Sequence, residues 1–211
     1  MDTTNSADTA QQAPPTDVAE RTDPHCLSEE RTTELLIDAP WSRLAVFGDS
    51  VAQGVGDPVP GYGDISWADR TAQALASAVG PVAYLNLGER GLVASEIRRT
   101  QLDRVLAFAP DLAFVSAGAN DALRRSFDPA AVQHELDAIV SRLARTGCLV
   151  VTFGFLDLSR VAPVAEDVRR AMRRAIVSVN ALTRRVTQRH DGLHVDFSRT
   201  LRSTPPSSAL T

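Results

Sequence analysis

Leu44-Ala45-Val46-Phe47-Gly48-Asp49-Ser50-Val51-Ala52-Gln53-Gly54 begins with consecutive apolar residues and ends on small and polar ones. An apolar run without polar alternation suits a strand buried on both faces, the pattern of a parallel sheet. The glycine closes the strand, and Asp49-Ser50 lead into a short helical stretch. A serine hydroxyl at such a strand-to-helix turn is exposed and able to attack a carbonyl.

The same grammar repeats downstream. Val82–Leu87 (VAYLNL) runs into Gly88, and Leu112–Val115 lies within PDLAFVSAG. Cys148–Phe155 (CLVVTFGF) is a fourth apolar run, and Leu193–Phe197 (LHVDF) a fifth, weaker one. Amphipathic stretches separate them. Ser66–Ala78 reads as a helix with Trp67, Leu75 and Ala78 inward, and Glu96–Phe108 as another with Ile97, Leu102, Val105 and Leu106 inward. Asp128-Pro129 has the form of an N-cap followed by proline at the first helical position, with Gly147 suited to the C-terminal cap. Val168, Met172, Ile176, Val179, Leu182 and Val186 form one more stripe, beside a solvated arginine face. Strand and helix thus alternate to give an α/β domain, a three-layer α/β/α sandwich around a parallel sheet. In such a sheet ligands meet the carboxyl ends of the strands.

The residues just past each strand are therefore informative. Gly48-Asp49-Ser50 comes after the first, Asn86-Leu87-Gly88-Glu89-Arg90-Gly91 after the second, and Gly118-Ala119-Asn120-Asp121 after the third. Taken singly, Ser50 reads as a helix cap, Gly91 as a turn residue and Asn120 as a cap or turn former. Taken together they supply a nucleophile and uncharged donors for an oxyanion: backbone N–H groups and a side-chain amide. Asp49 and Asp121 are expected to hold their loops by accepting from backbone N–H groups.

These residues resemble the SGNH (GDSL-like) hydrolases. VFGDSVAQG is similar to that family's first block, LNLGERGL to its second and SAGAND to its third. The resemblance implies a flavodoxin-like fold with a five-stranded parallel sheet. It implies Ser50 as the nucleophile, with Gly91 as backbone and Asn120 as side-chain oxyanion donor. It covers roughly residues 43–197. No G-x-S-x-G elbow is present, so the α/β-hydrolase pattern fits less well.

The family also carries an Asp-x-x-His block after the last strand, where the histidine takes the serine proton. The histidines here are His25, His134, His190 and His194. Asp191-Gly192-Leu193-His194 has the spacing, but it precedes the fifth strand's end and is expected near the wrong edge of the sheet. After Phe197 the sequence SRTLRSTPPSSALT has neither histidine nor helical apolar period. Two expectations stand: a domain truncated at its C-terminus, or a family fold that binds an acyl or glycan ligand without turnover.

The 211 residues fit an acidic tail over 1–39, read as disordered apart from a helical turn near Glu29–Leu36, and one domain over 40–211. The tail holds nine acidic against two basic residues. The remainder is too weakly basic, and too empty of motifs, for nucleic acid binding. All 22 basic residues are arginine, a compositional bias. Cys26 and Cys148 form neither a metal cluster nor a redox pair. Without a G-x-x-x-x-G-K-[ST] or G-x-G-x-x-G motif, a nucleotide-binding reading is disfavoured and no cofactor or metal is expected. With neither a signal-peptide pattern nor a long apolar span, the expected setting is cytoplasmic. The expected activity is hydrolysis of a small acyl ester.

Overall fold

The computed structural model describes residues 18–54, 56–160 and 162–197. Its centre is a five-stranded, all-parallel sheet in the order β2-β1-β3-β4-β5. The strands are β1 (Arg43–Gly48), β2 (Ala83–Asn86), β3 (Leu112–Ser116), β4 (Leu149–Gly154) and β5 (Leu193–Asp196). Each falls inside or against one of the apolar runs read from the sequence. Continuous hydrophobicity was the right signal because both faces of β1, β3 and β4 are covered.

Alternate residues of each strand serve opposite faces. Ala45, Phe47, Ala113, Val115 and Val150 pack under α5 (Ala94–Thr100), α6 (Leu102–Phe108), α8 (Pro129–Ala144) and α9 (Glu166–Arg189). Leu44, Val46, Leu112, Val151 and Phe153 face α4 (Trp67–Val79), whose Ala68 and Ala72 press on the sheet. Trp67 meets Phe114 and Phe153 edge-on, with ring centroids 5.6 and 5.2 Å apart. Offset and edge-to-face packing of this kind contributes beyond simple area burial. The remaining helices among the described residues are α1 (Val18–Thr22), α2 (Glu29–Leu36), α3 (Ser50–Gln53), α7 (Ala119–Ala122) and a 3-10 turn at Leu158–Arg160.

Helix starts follow their caps. Ser66 accepts from the Asp69 N–H at 3.0 Å to begin α4, and Asp128 accepts from the Ala130 N–H at 2.9 Å to begin α8, with Pro129 first in the helix.

Two expectations need correction. The 96–108 stretch is not one helix but two, broken at Gln101, whose side chain is turned inward on the end of β1. Val168 is exposed, because the buried stripe of α9 begins only at Ile176. In the acidic segment, the helical turn expected near Glu29–Leu36 is α2, which packs on α4, and α1 is tied to the loop before α4. Polar anchors hold that segment where an apolar stripe does not. The Glu20 carboxylate accepts from the Gly63 N–H at 2.8 Å and pairs with Arg70, and the Tyr62 hydroxyl donates to Asp23 at 2.6 Å. The rest of the expected tail, residues 1–17, lies outside the described residues, as does the chain after Phe197.

Candidate active site

All five strands point the same way, so β1, β2 and β3 open onto one rim. β1 ends at Gly48, whose φ is 133°. A Cβ there would sit 1.9 Å from the Ser116 carbonyl oxygen, so no other residue fits between the strands. Asp49 caps α3: its Oδ1 accepts from the Val51 N–H at 3.0 Å and from the Ser116 hydroxyl at 2.8 Å. The helix start is therefore satisfied by Asp49 and not by Ser50. Ser50 is the first residue of α3, half-buried. Its own first-turn N–H has no partner within the helix. Two more bonds pin this short helix: the Trp67 indole N–H donates to the Val51 carbonyl at 2.6 Å, and the Asn86 amide donates to the Ala52 carbonyl at 3.0 Å.

The second loop packs against the first. Gly88 lies so close to α3 that a Cβ would stand 2.1 Å from the Gln53 nitrogen. Its N–H donates to the Asn86 side chain at 2.8 Å, and the Glu89 N–H donates to the Gly48 carbonyl at 3.0 Å. Gly91 follows in a turn with φ 86°, and among the described residues, its chain neighbours aside, no atom lies within 4 Å of where its Cβ would project.

The third loop closes the circle. Asn120, on α7, donates through Nδ2 to the Leu92 carbonyl at 2.9 Å, next to Gly91. One of the two amide hydrogens serves this bond, leaving a second. Asp121 accepts from the Ala94 N–H at 2.9 Å and so holds the start of α5. Both aspartates hold backbone N–H groups, as their positions in the sequence suggested.

Burial pushes the Asp49 and Asp121 carboxyls above the ordinary range, and the Asp121 charge adds to the effect on Asp49. Asp49 Oδ2 is buried without a hydrogen-bond partner among the described residues. One turn past Ser50, the loop before α4 bounds an open cleft of about 410 Å³, lined by Gly54, Asp57, Pro58, Val59, Tyr62 and Ile65.

His194 is not part of this arrangement, though the reason differs from the one read in the sequence. Register runs from Phe47 through Val115 and Thr152 to His194, so His194 is level with the last turn of β1 and not at the amino edge. The separation is sideways. Three strand spacings place its backbone roughly 14 Å from β1. Its Nδ1 is hydrogen-bonded to the Thr152 hydroxyl at 2.9 Å, and burial lowers the ring's proton affinity. Asp191 lies in the turn after α9 with φ 56°. His190 pairs with Asp137 at 3.1 Å, and His25 and His134 are exposed. Among the described residues no group of three or more histidine, cysteine or acidic side chains is placed to hold a metal ion, and no helix is long and apolar enough to cross a membrane.

Sequence reading missed Gln101, Ser116, Trp67 and Asn86 as supports of the rim. Gln101 did leave a signal. It stands four residues after Ile97 and four before Val105, a polar side chain in a buried stripe.

Comparison with known proteins agrees with this architecture. Solved structures share the fold. LAE5, an alpha/beta hydrolase enzyme from the metagenome of Lake Arreo in Spain, superposes with a TM-score of 0.61 at 23% identity, over 83% of this chain and 87% of its own. Axe2, an acetylxylan esterase from Geobacillus stearothermophilus, gives 0.59 at 17% identity over 78% and 82%. The psychrotrophic esterase EstA from Pseudoalteromonas sp. gives 0.54 at 15% identity over 74% and 77%. A search of curated proteins returned no match. Residues 46–210, more than three quarters of the sequence and every motif loop of the rim, match the GDSL-like Lipase/Acylhydrolase family, and the chain belongs to that family of hydrolytic enzymes.

Proposed function

We propose that the chain hydrolyses a small acyl ester through a covalent acyl-serine intermediate, with Ser50 as nucleophile. The Ser50 Oγ attacks the ester carbonyl carbon, and the carbonyl oxygen becomes an oxyanion. The Ser50 and Gly91 backbone N–H groups and the Asn120 amide donate to it. Oγ gives up its proton to solvent as it bonds to carbon. Collapse breaks the ester C–O bond, and the departing alkoxide takes a proton to leave as the alcohol. Water then adds to the acyl carbon, releases the acid and returns a proton to Oγ. Donors without fixed charge suit an oxyanion that must form and vanish within each turnover.

One observation supports this reading above the others: Asp49, not Ser50, caps α3. The serine hydroxyl is thus relieved of the structural duty that the sequence left open to it. The Asn120–Leu92 bond adds support, since it joins the loops that hold the two remaining donors.

The test is covalent labelling with a fluorophosphonate, together with release of nitrophenol from 4-nitrophenyl acetate. Labelling at Ser50, and loss of both signals in Ser50→Ala, is the expected result. Hydrolysis by Ser50→Ala at the wild-type rate would overturn the assignment.

A second reading, ligand binding without turnover, draws on the engagement of His194 with Thr152, away from β1. It predicts thermal stabilisation by an acyl or glycan ligand with no labelling of Ser50. A burst of nitrophenol would count against it.

A further inference from the structure

The Gln101 side chain makes two hydrogen bonds, and both go to Gly48. The Gly48 N–H donates to Oε1 at 2.7 Å, and Nε2 donates to the Gly48 carbonyl at 3.1 Å. Gln101 is 2% exposed, an uncommon burial for a carboxamide unless its groups are paired. On its β3 side the chain is already held, by the Asp49 N–H to the Ser116 carbonyl at 3.1 Å. On its β2 side the register stops at Val46–Asn86, two residues earlier. Beyond that point, among the described residues, the chain after β2 reaches Gly48 only through the Glu89 N–H on its carbonyl. Gln101 thus takes the Gly48 N–H that a neighbouring strand would have taken and shares the carbonyl with Glu89.

That residue sets where the nucleophile goes. Gly48 has a φ of 133°, open to glycine alone, and its two successors are Asp49 and Ser50. The Gly48 carbonyl also accepts from the Glu89 N–H, so the same atom ties the loop of Gly91 to the end of β1. Resting on the assignment of Ser50 proposed above, we infer that Gln101 is a positioning residue. It fixes the Gly48 peptide, and with it the direction of Ser50 relative to the donors on the second loop. It touches no substrate and acts through the backbone.

A built-in control exists. The Asn180 side chain makes the same pair of bonds to one backbone residue, Phe155, at 2.8 Å each, just past the end of β4. It clamps a strand end that holds none of the three motif loops.

The experiment compares Gln101→Met, which keeps length and bulk but cannot pair with Gly48, with Asn180→Leu. Both lose two hydrogen bonds and both should melt earlier. Gln101→Met should in addition label with fluorophosphonate about 10- to 100-fold more slowly, the scale expected for a misplacement near 1 Å. Its kcat on 4-nitrophenyl acetate should fall with KM little changed, while Asn180→Leu labels at the wild-type rate. Should Gln101→Met fail to fold, Gln101→Asn, an amide one methylene short of Gly48, is read in the same assay with the same expectation. Equal labelling by the Gln101 variant and wild type overturns this inference alone. A wild type that takes no label overturns the Ser50 assignment, and this inference with it.

Discussion

Ser116 donates its hydroxyl proton to Asp49 at 2.8 Å, joining the end of β3 to the cap of the helix that Ser50 begins. The bond satisfies Oδ1 and leaves Oδ2 buried and unpartnered among the described residues. An ionised carboxylate is costly there, so burial raises the Asp49 pKa in the folded state. A carboxyl with a raised folded pKa contributes stability fully present below its unfolded value and lost as pH rises through the folded one. Asp49→Asn keeps an oxygen for Val51 and Ser116 and removes the charge. The wild-type melting temperature should therefore fall relative to Asp49→Asn between acid and neutral pH, the two converging at low pH. Asp49→Ala, which loses the cap, should be less stable than Asp49→Asn by about 1 kcal/mol at every pH. Thermal melts from acid to neutral pH check both; parallel curves for wild type and Asp49→Asn would contradict the argument.

Asn120 carries two separable roles. One Nδ2 hydrogen serves Leu92, and the other is the proposed oxyanion donor. Asn120→Ala should lower kcat by about 10²–10³, the usual loss on removing one such donor. Loss of the bond to Leu92 should lower stability by only about 1 kcal/mol. Asn120→Asp has the same shape but places acceptors, and a negative charge when ionised, where the donor stood. It should be at least as slow as the alanine variant. Steady-state kinetics on a chromogenic ester, alongside thermal melts, separate the two roles.

Much of this rim is legible in the sequence. Gly48-Asp49-Ser50, Gly91 and Asn120-Asp121 each follow an apolar run, and in a parallel sheet chain order at the strand ends is enough to bring them to one side. The cross-links are less legible. Ser116 to Asp49, Gln101 to Gly48 and Asn120 to Leu92 span 67, 53 and 28 residues. No local propensity encodes such pairings; they depend on which side chains the register sets face to face. The anchoring of the acidic segment is hard to read for a related reason. Composition reports the apolar area a segment can bury, whereas Glu20 is held by polar bonds to Gly61, Gly63 and Arg70, and Asp23 by one to Tyr62.

Those polar bonds brace the loop that lines the cleft beside Ser50. The Glu20 N–H donates to the Gly61 carbonyl at 3.0 Å, and its carboxylate accepts from the Gly63 N–H. That bond, with Arg70 beside it, holds the Glu20 carboxyl below the ordinary carboxylate range. A lowered folded pKa means the brace is present above the usual value and lost as pH falls through the folded one. The double variant Glu20→Ala/Tyr62→Phe should expose the 56–66 segment to limited proteolysis at neutral pH while leaving the melting temperature of the sheet nearly unchanged. Mapping the first cleavage sites by mass spectrometry checks this. Identical digestion patterns for variant and wild type would show that the loop stands without the brace.

His194 is the residue whose spacing most invites a catalytic role, and its geometry argues against one. It is level with Phe47 but three strands away, and Nδ1 is occupied by Thr152, whose hydroxyl also meets Thr187 at 2.7 Å. A general base must reach within about 2.6–3.2 Å of the proton it takes, or work through one water. A lateral offset of roughly 14 Å exceeds that by several bond lengths. His194→Asn should therefore slow labelling of Ser50 by far less than the roughly 10²–10⁴-fold that a general base supplies. Its effect should appear in stability, because the Thr152–Thr187 pair loses a neighbour. The pH dependence of labelling should be the same in variant and wild type. A shift of that profile on removing His194 would place the ring, against this geometry, in the path of the Ser50 proton.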